Sequence, residues 1–262
     1  AASDVYKRQP VQRTGDWTAD LLAAHLARVD AQLRASPTLA HASHAGVHGS
    51  LAALTYLARA APSVDRAPLT ALVQRVWALV APVLCAAAPE GAEDVSEWER
   101  ALAATESSAD DPVAAPAATS QQILSFAWRA IKEAAALHAL CAQDAPPDAL
   151  RDANELFQTW LLQIRHRGAF STVYPQYHAL AQALGAAPTT RALPGAWLHA
   201  LLDRVDAHAD SFSTTRRSAG LGYATLALLS AQAAGSPRAA ETQRVVERLA
   251  RMARDAAPMR CI

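Results

Sequence analysis

Lysine is nearly absent from this 262-residue chain, standing only at positions 7 and 132, and arginine serves as the cation nearly everywhere else. Aromatics are also scarce at 6%, while alanine fills about a quarter of the positions, far above ordinary usage. A GC-rich genome, which favours Ala and Arg codons, accounts for both biases. Cysteine is limited to Cys85, Cys141 and Cys261, an odd number with no CxxC pair. That pattern excludes a zinc ribbon and a disulfide framework, and fits a reducing compartment. There is no GxSxG elbow, no HExxH and no P-loop, so the usual nucleophile, metalloprotease and phosphate-cradle signatures are missing. Net charge is zero, which removes any global field toward nucleic acid or membrane and leaves only local patches. No run of eighteen apolar residues and no signal-peptide pattern occurs. The expectation is a soluble, cytoplasmic protein with no membrane contact.

What remains is helical. From Gln121 to Cys141, the residues Ile123, Leu124, Ala127, Trp128, Ile131, Ala134 and His138 recur on one face. Gln122, Ser125, Arg129, Lys132 and Glu133 fall opposite, with Arg129 and Glu133 spaced for an i, i+4 pair. A second stripe runs through Ala153, Leu156, Phe157, Trp160, Leu161 and Ile164, with Gly168 at the position of a C-terminal cap. Further helices are predicted over Trp17–Ala35, Val47–Ala60, Leu69–Ala86, Pro175–Leu184, Pro194–Ala207, Thr215–Ala233 and Ala239–Ala256. Pro175 and Pro194 suit first turns, and Gly185 and Gly235 suit helix ends. No strand-like alternation survives, so the fold class is all-α. Helix pairs with short Pro/Gly punctuation suggest an α-solenoid of the HEAT or armadillo kind, with a compact bundle as the alternative.

Four segments follow from composition. Residues 1–9, "AASDVYKRQ", fit the translated end of a sequencing-library adapter and are set aside as a scar. Residues 10–86 read as helical repeats. Residues 87–120 form an acidic insert, with Glu90, Glu93, Asp94, Glu97, Glu99, Glu106, Asp110 and Asp111 against Arg100 alone and a short helix around Val95–Ala104. Residues 121–262 form a second helical region. The missing initiator methionine leads us to expect a piece of a longer protein.

Few residues could carry chemistry. "GLGYAT" lacks the preceding strand of a dinucleotide loop, and its glycines better suit close helix packing. His41, His44 and His48 share a helical spacing, yet no carboxylate or cysteine completes a metal set, and a helix start is the simpler reading. Three basic motifs stand out. "SFAWRAIKEAAAL" presents Arg129 and Lys132. "IRHRGAF" sets Arg165, His166 and Arg167 at a helix end, where the dipole favours cations. "TTRRSAGL" puts Arg216 and Arg217 at a helix start capped by Thr214 or Thr215, where the dipole disfavours them.

Together with the earlier "GVHGSLAALTYL", these three motifs resemble the central region of the thyroid adenoma-associated protein family over most of residues 40–234. The resemblance implies a large helical-repeat protein that is not itself an enzyme. Fungal relatives are accessory partners of a tRNA ribose methyltransferase, directing 2′-O-methylation at position 32 of the anticodon loop. The methyl donor, S-adenosylmethionine, is then expected on the catalytic partner, and this chain needs no cofactor or metal. Its implied partners are that methyltransferase subunit and tRNA. A second family role, in calcium-pump regulation, stays open.

Carried over by position, the family's RRSAGL string falls on Arg216, Arg217, Ser218, Ala219, Gly220 and Leu221, followed here by Gly222 where the family usually has proline. The arginines and Ser218 would meet RNA phosphate or the partner enzyme, joined by Arg165, His166, Arg167, Arg129 and Lys132. Two alternatives stay beside this reading: an intramolecular role for the arginines, and a general protein-binding scaffold with no RNA contact.

Overall fold

The computed structural model describes residues 17–35, 42, 46–86, 120–207, 219–231 and 238–255. Among them the chain is helical, with no strand: α1 Trp17–Arg34, α2 Val47–Ala60, α3 Ala67–Leu84, α4 Ser120–Ala142, α5 Pro147–Gln163, α6 Arg167–Ala186, α7 Leu193–Ala207, α8 Ala219–Ser230 and α9 Arg238–Asp255. The scar, His41, His44, the acidic segment up to residue 119, Thr214 to Ser218, Gly235 and Cys261 lie outside the described residues. Ser120, expected to close the acidic insert, instead opens α4.

The helices meet in two alternating series. The even-numbered helices pack in order, α2 on α4, α4 on α6 and α6 on α8. Side-chain contacts join the odd-numbered helices in the same order. Arg75 of α3 pairs with Asp30 of α1. Trp77 of α3 meets Trp160 of α5 at 6.1 Å between ring centres. Arg204 of α7 donates to Gln158 of α5, and Arg248 of α9 donates to Asp203 and Asp206 of α7. Within consecutive pairs, α3 packs on α4 and α5 on α6.

α4 is the hub, touching α2, α3, α5 and α6. Its first half is amphipathic as its sequence predicts, with Ile123, Ala127 and Ile131 fully buried. Its second half is buried on every side from Ala134 through Ala142 save for Ala136, including His138 and Cys141. Small side chains at Ala134, Ala135, Ala139 and Ala142 let four neighbours close around it. α3 is long and apolar enough by composition to cross a membrane. Here that apolarity is spent against α4: Leu69, Leu72, Val73, Val76, Val80, Val83 and Leu84 are buried, and Arg75 is held by Asp30.

Two expectations fail at the α5–α6 boundary. Gly168 does not cap α5; it lies inside α6, and Gly46 is the positive-φ residue among those described (φ +63°). α5 ends because Ile164 turns extended and drops into the core, 1% exposed, while the Arg165 amide donates to the Leu84 carbonyl at 2.8 Å. α6 then begins at Arg167, well before Pro175, which sits inside the helix on an exposed face. An internal proline removes one backbone hydrogen bond at a cost of about 3 kcal/mol. Burying Ala169, Phe170 and Val173 offsets it, because those residues reach the core only if the helix starts early. Pro194, by contrast, is the second residue of α7, as its first-turn preference predicts.

A buried polar group ties α5, α6 and α7 together. The Tyr177 hydroxyl donates to Asn154 Oδ1 at 2.6 Å, and Gln158 Nε2 donates to the same oxygen at 3.1 Å. Arg204 supplies Gln158 Oε1 from outside. Burial pushes the Tyr177 hydroxyl far above its ordinary range, so it acts as a neutral donor.

Candidate nucleic-acid interface

One rim of the molecule collects several helix ends. The Arg165–Leu84 hydrogen bond joins the end of α5 to the end of α3. A Cβ on Gly220 would overlap the Leu161 carbonyl oxygen, so the start of α8 abuts the end of α5. α6 starts two residues after Arg165. At the opposite rim, Gln182 donates to the Ser230 carbonyl at 3.1 Å and a Cβ on Gly185 would overlap the Ala231 carbonyl. α6 and α8 therefore run side by side in the same direction.

The "RHR" triplet divides its work. Arg165 and Arg167 are exposed, and neither makes a side-chain hydrogen bond or ion pair with another described residue. His166 lies between the helices rather than at the end of one. Its Nδ1 accepts from the Ala169 amide at 3.2 Å and caps α6. Burial holds its pKa below the usual histidine value, which keeps Nδ1 free of a proton and able to accept. Gly168 leaves room beside it, since a Cβ there would stand 3.0 Å from the imidazole Cε1. His166 is thus a capping residue, and the two arginines beside it are the groups free to meet an anion.

On α4, Arg129 and Lys132 are exposed, as expected. Their pairing is not. Glu133 pairs with Lys132 at 3.1 Å, and Arg129 lies over the Trp128 ring, 5.7 Å from its centre. The i, i+4 pair gives way because the half-buried indole offers Arg129 a flat face. No hydrogen bond or ion pair among the described residues joins Arg129 or Lys132 to Arg165–Arg167. His48 packs against Phe126 of α4, ring centres 6.4 Å apart, and among the described residues no three His, Cys, Asp or Glu side chains are placed to share a metal ion. Burial pushes the Cys85 and Cys141 thiols up to about 11, which makes them poor nucleophiles.

The larger feature of the surface is where carboxylates are missing. Helices α2, α4, α6 and α8 together carry Arg59, Arg129, Lys132 and Arg167, and one carboxylate, Glu133. Neither α6 nor α8 has any acidic residue. Among the described helices the other acids lie in the odd-numbered series, with Asp20 and Asp30 on α1, Asp148, Asp152 and Glu155 on α5, Asp203 and Asp206 on α7 and Glu247 on α9, and most of the helical arginines stand there with them. A chain of zero net charge therefore has one helix series almost free of negative charge. The signal was present in the sequence, but it emerges only once the helices are sorted by series.

Comparison with known proteins shows the family. The family described as THADA/TRM732, DUF2428 matches residues 67–260. The tRNA (32-2′-O)-methyltransferase regulator trm732 of Schizosaccharomyces pombe is 34% identical over 166 residues, covering 60% of this chain and 10% of that protein. The tRNA (32-2′-O)-methyltransferase regulator THADA of Homo sapiens is 31% identical over 131 residues, 44% of this chain and 7% of that protein. Its Mus musculus counterpart is 30% identical over the same length. The chain thus spans a tenth or less of the length of these relatives. No solved structure matches it. With the family matched across most of its length, the chain belongs to the THADA/TRM732 family.

Proposed function

We propose that this region is part of an accessory regulator of tRNA methylation, which holds tRNA for 2′-O-ribose methylation at position 32 of the anticodon loop by a separate methyltransferase subunit. Family membership, with relatives named as regulators of that methyltransferase, supports the accessory role. The observation that carries the RNA contact is the acid-poor series α2, α4, α6 and α8, with exposed Arg129, Lys132 and Arg167 on it and Arg165 at its rim. Phosphate contacts are made by such cations, and arginine bonds phosphate through two parallel N–H groups. Arg216, Arg217 and Ser218 directly precede α8, whose start abuts the end of α5, and we assign them to the same surface.

In this reading the protein supplies no catalytic group; S-adenosylmethionine is bound by the partner, and the assembly works in the cytoplasm. The helices extend an α-solenoid of the HEAT or armadillo kind, a reading supported by the two alternating series. A protein-binding scaffold without RNA contact is the second reading, favoured by the exposed Tyr56 and Leu226 on the even-numbered helices.

The test uses the intact protein, reconstituted with its methyltransferase and unmodified tRNA. Methylation at position 32 should depend on the protein, and Arg216→Ala with Arg217→Ala should abolish it in an assembled, folded complex. Methylation that proceeds equally without the protein would end the accessory reading. Methylation unchanged in the double variant would return the arginines to a structural role.

A further inference from the structure

α6 carries a continuous polar and aromatic line. Arg167, Ser171, Tyr174, His178 and Gln182 follow one another at steps of four, three, four and four residues, so they share one face. Each is exposed or half-exposed. Tyr177 and Phe170 on the same helix point into the core instead.

Midway along this line the rings gather. Tyr174 is 4.8 Å from Tyr223 of α8 and 5.6 Å from His178, centre to centre. The buried Phe170 backs Tyr223 at 5.6 Å. Beside Tyr223, Gly222 is exposed, and nothing lies within 4 Å of where its side chain would be. Neither tyrosine hydroxyl bonds to a described residue, and both side chains are half-exposed. For packing alone, phenylalanine or leucine would serve as well. Two half-exposed tyrosines, their rings tilted 51° to each other and backed by a core ring, stand beside bare space with no acid on either helix.

From this geometry we infer that Tyr174 and Tyr223 stack an unpaired nucleobase of the RNA loop, with Arg167, two helical turns away on the same face, taking a phosphate of the same strand; this rests on the RNA-holding role proposed above. Unpaired loop bases are recognised by stacking on aromatic side chains, and the contact tolerates any base because each has a π-face. Arginine at the end of the line adds the charge term that loop phosphates need. A protein segment is the less fitting occupant. Neither α6 nor α8 carries a carboxylate to pair with basic side chains, and the cation beside the rings answers a polyanion.

The test uses the full-length protein and an anticodon stem-loop RNA carrying 2-aminopurine in the loop. Stacking should quench its fluorescence on binding. Tyr223→Leu and Tyr174→Leu should each remove the quench and weaken binding by about five- to hundredfold, while Tyr223→Phe should retain both. Thermal melting and assembly with the methyltransferase check the fold; if Tyr174→Leu melts early, the Tyr223 pair of variants decides. Leucine variants that bind and quench like the wild type overturn the inference while leaving the RNA-holding role intact. So do variants that keep RNA affinity and lose the methyltransferase, which would make the face a protein interface. Failure of the wild-type protein to bind the stem-loop at all, alone or assembled, defeats the RNA-holding role itself.

Discussion

Gly220 at the start of α8 lies directly against the carbonyl of Leu161 at the end of α5, with no room between them for a methyl group. Ala224 and Ala227 continue the same smooth ridge, both fully buried. The small residues that resemble a cofactor loop in sequence are thus a packing device. It seats α8 against the end of α5, close to the rim that bears Arg165.

Gly220→Ala should therefore destabilise the protein by about 1–3 kcal/mol, the usual range for overpacking. Gly222, two residues on, faces open space, so Gly222→Ala should gain about 0.5–1 kcal/mol from helix propensity. Chemical denaturation of the two variants checks the opposite signs. Equal effects would mean that α8 does not rest on Leu161.

His138 predicts a pH dependence. It is 3% exposed, wedged between Phe157 and Trp160 at 5.0 and 5.4 Å, and burial lowers its pKa from 6.5 to about 4. The folded state keeps it neutral, whereas the unfolded chain takes up a proton below 6.5. Its contribution is therefore complete above pH 6.5 and is lost as the pH falls toward 4, on the order of 3 kcal/mol in all. His138→Phe should flatten the stability profile between those values. His166, also held down by burial, adds a dependence of the same sign.

The polar group between α5, α6 and α7 predicts an inverted ranking. Tyr177→Phe removes one donor, but Asn154 Oδ1 still accepts from Gln158, so the cost should be about 1 kcal/mol. Arg204→Leu alters an exposed residue, yet it strands the buried Gln158 Oε1 and should cost about 1–3 kcal/mol. Thermal melts of the two variants decide which is larger.

Helix existence was legible from periodicity, because stripes such as Ala153, Phe157, Trp160 and Leu161 bury as their spacing requires. The α5–α6 boundary was not legible. Gly168 and Pro175 are ordinary punctuation in sequence, and only the core's demand for Ile164 and Phe170 moves the break ahead of both. The sequence set Arg165, His166 and Arg167 together at a helix end; that α6 begins at Arg167 and that His166 caps it depend on a ring orientation that no spacing encodes. Tyr174 and Tyr223 lie far apart in the chain and become neighbours only through the parallel packing of α6 on α8. The same packing logic hid the shortage of acids on the even-numbered helices, since the chain as a whole has zero net charge.

The most direct measurement of the central claim is the salt dependence of tRNA binding by the assembled protein and methyltransferase, with and without Arg165→Ala plus Arg167→Ala. Both side chains are exposed and hold no described partner, so the fold should be unchanged. Affinity should fall, and the slope of log K against log salt should shallow by about 1.4–2, as expected for two lost phosphate contacts. An unchanged slope, in a complex that still methylates, would contradict the account and leave this surface without RNA.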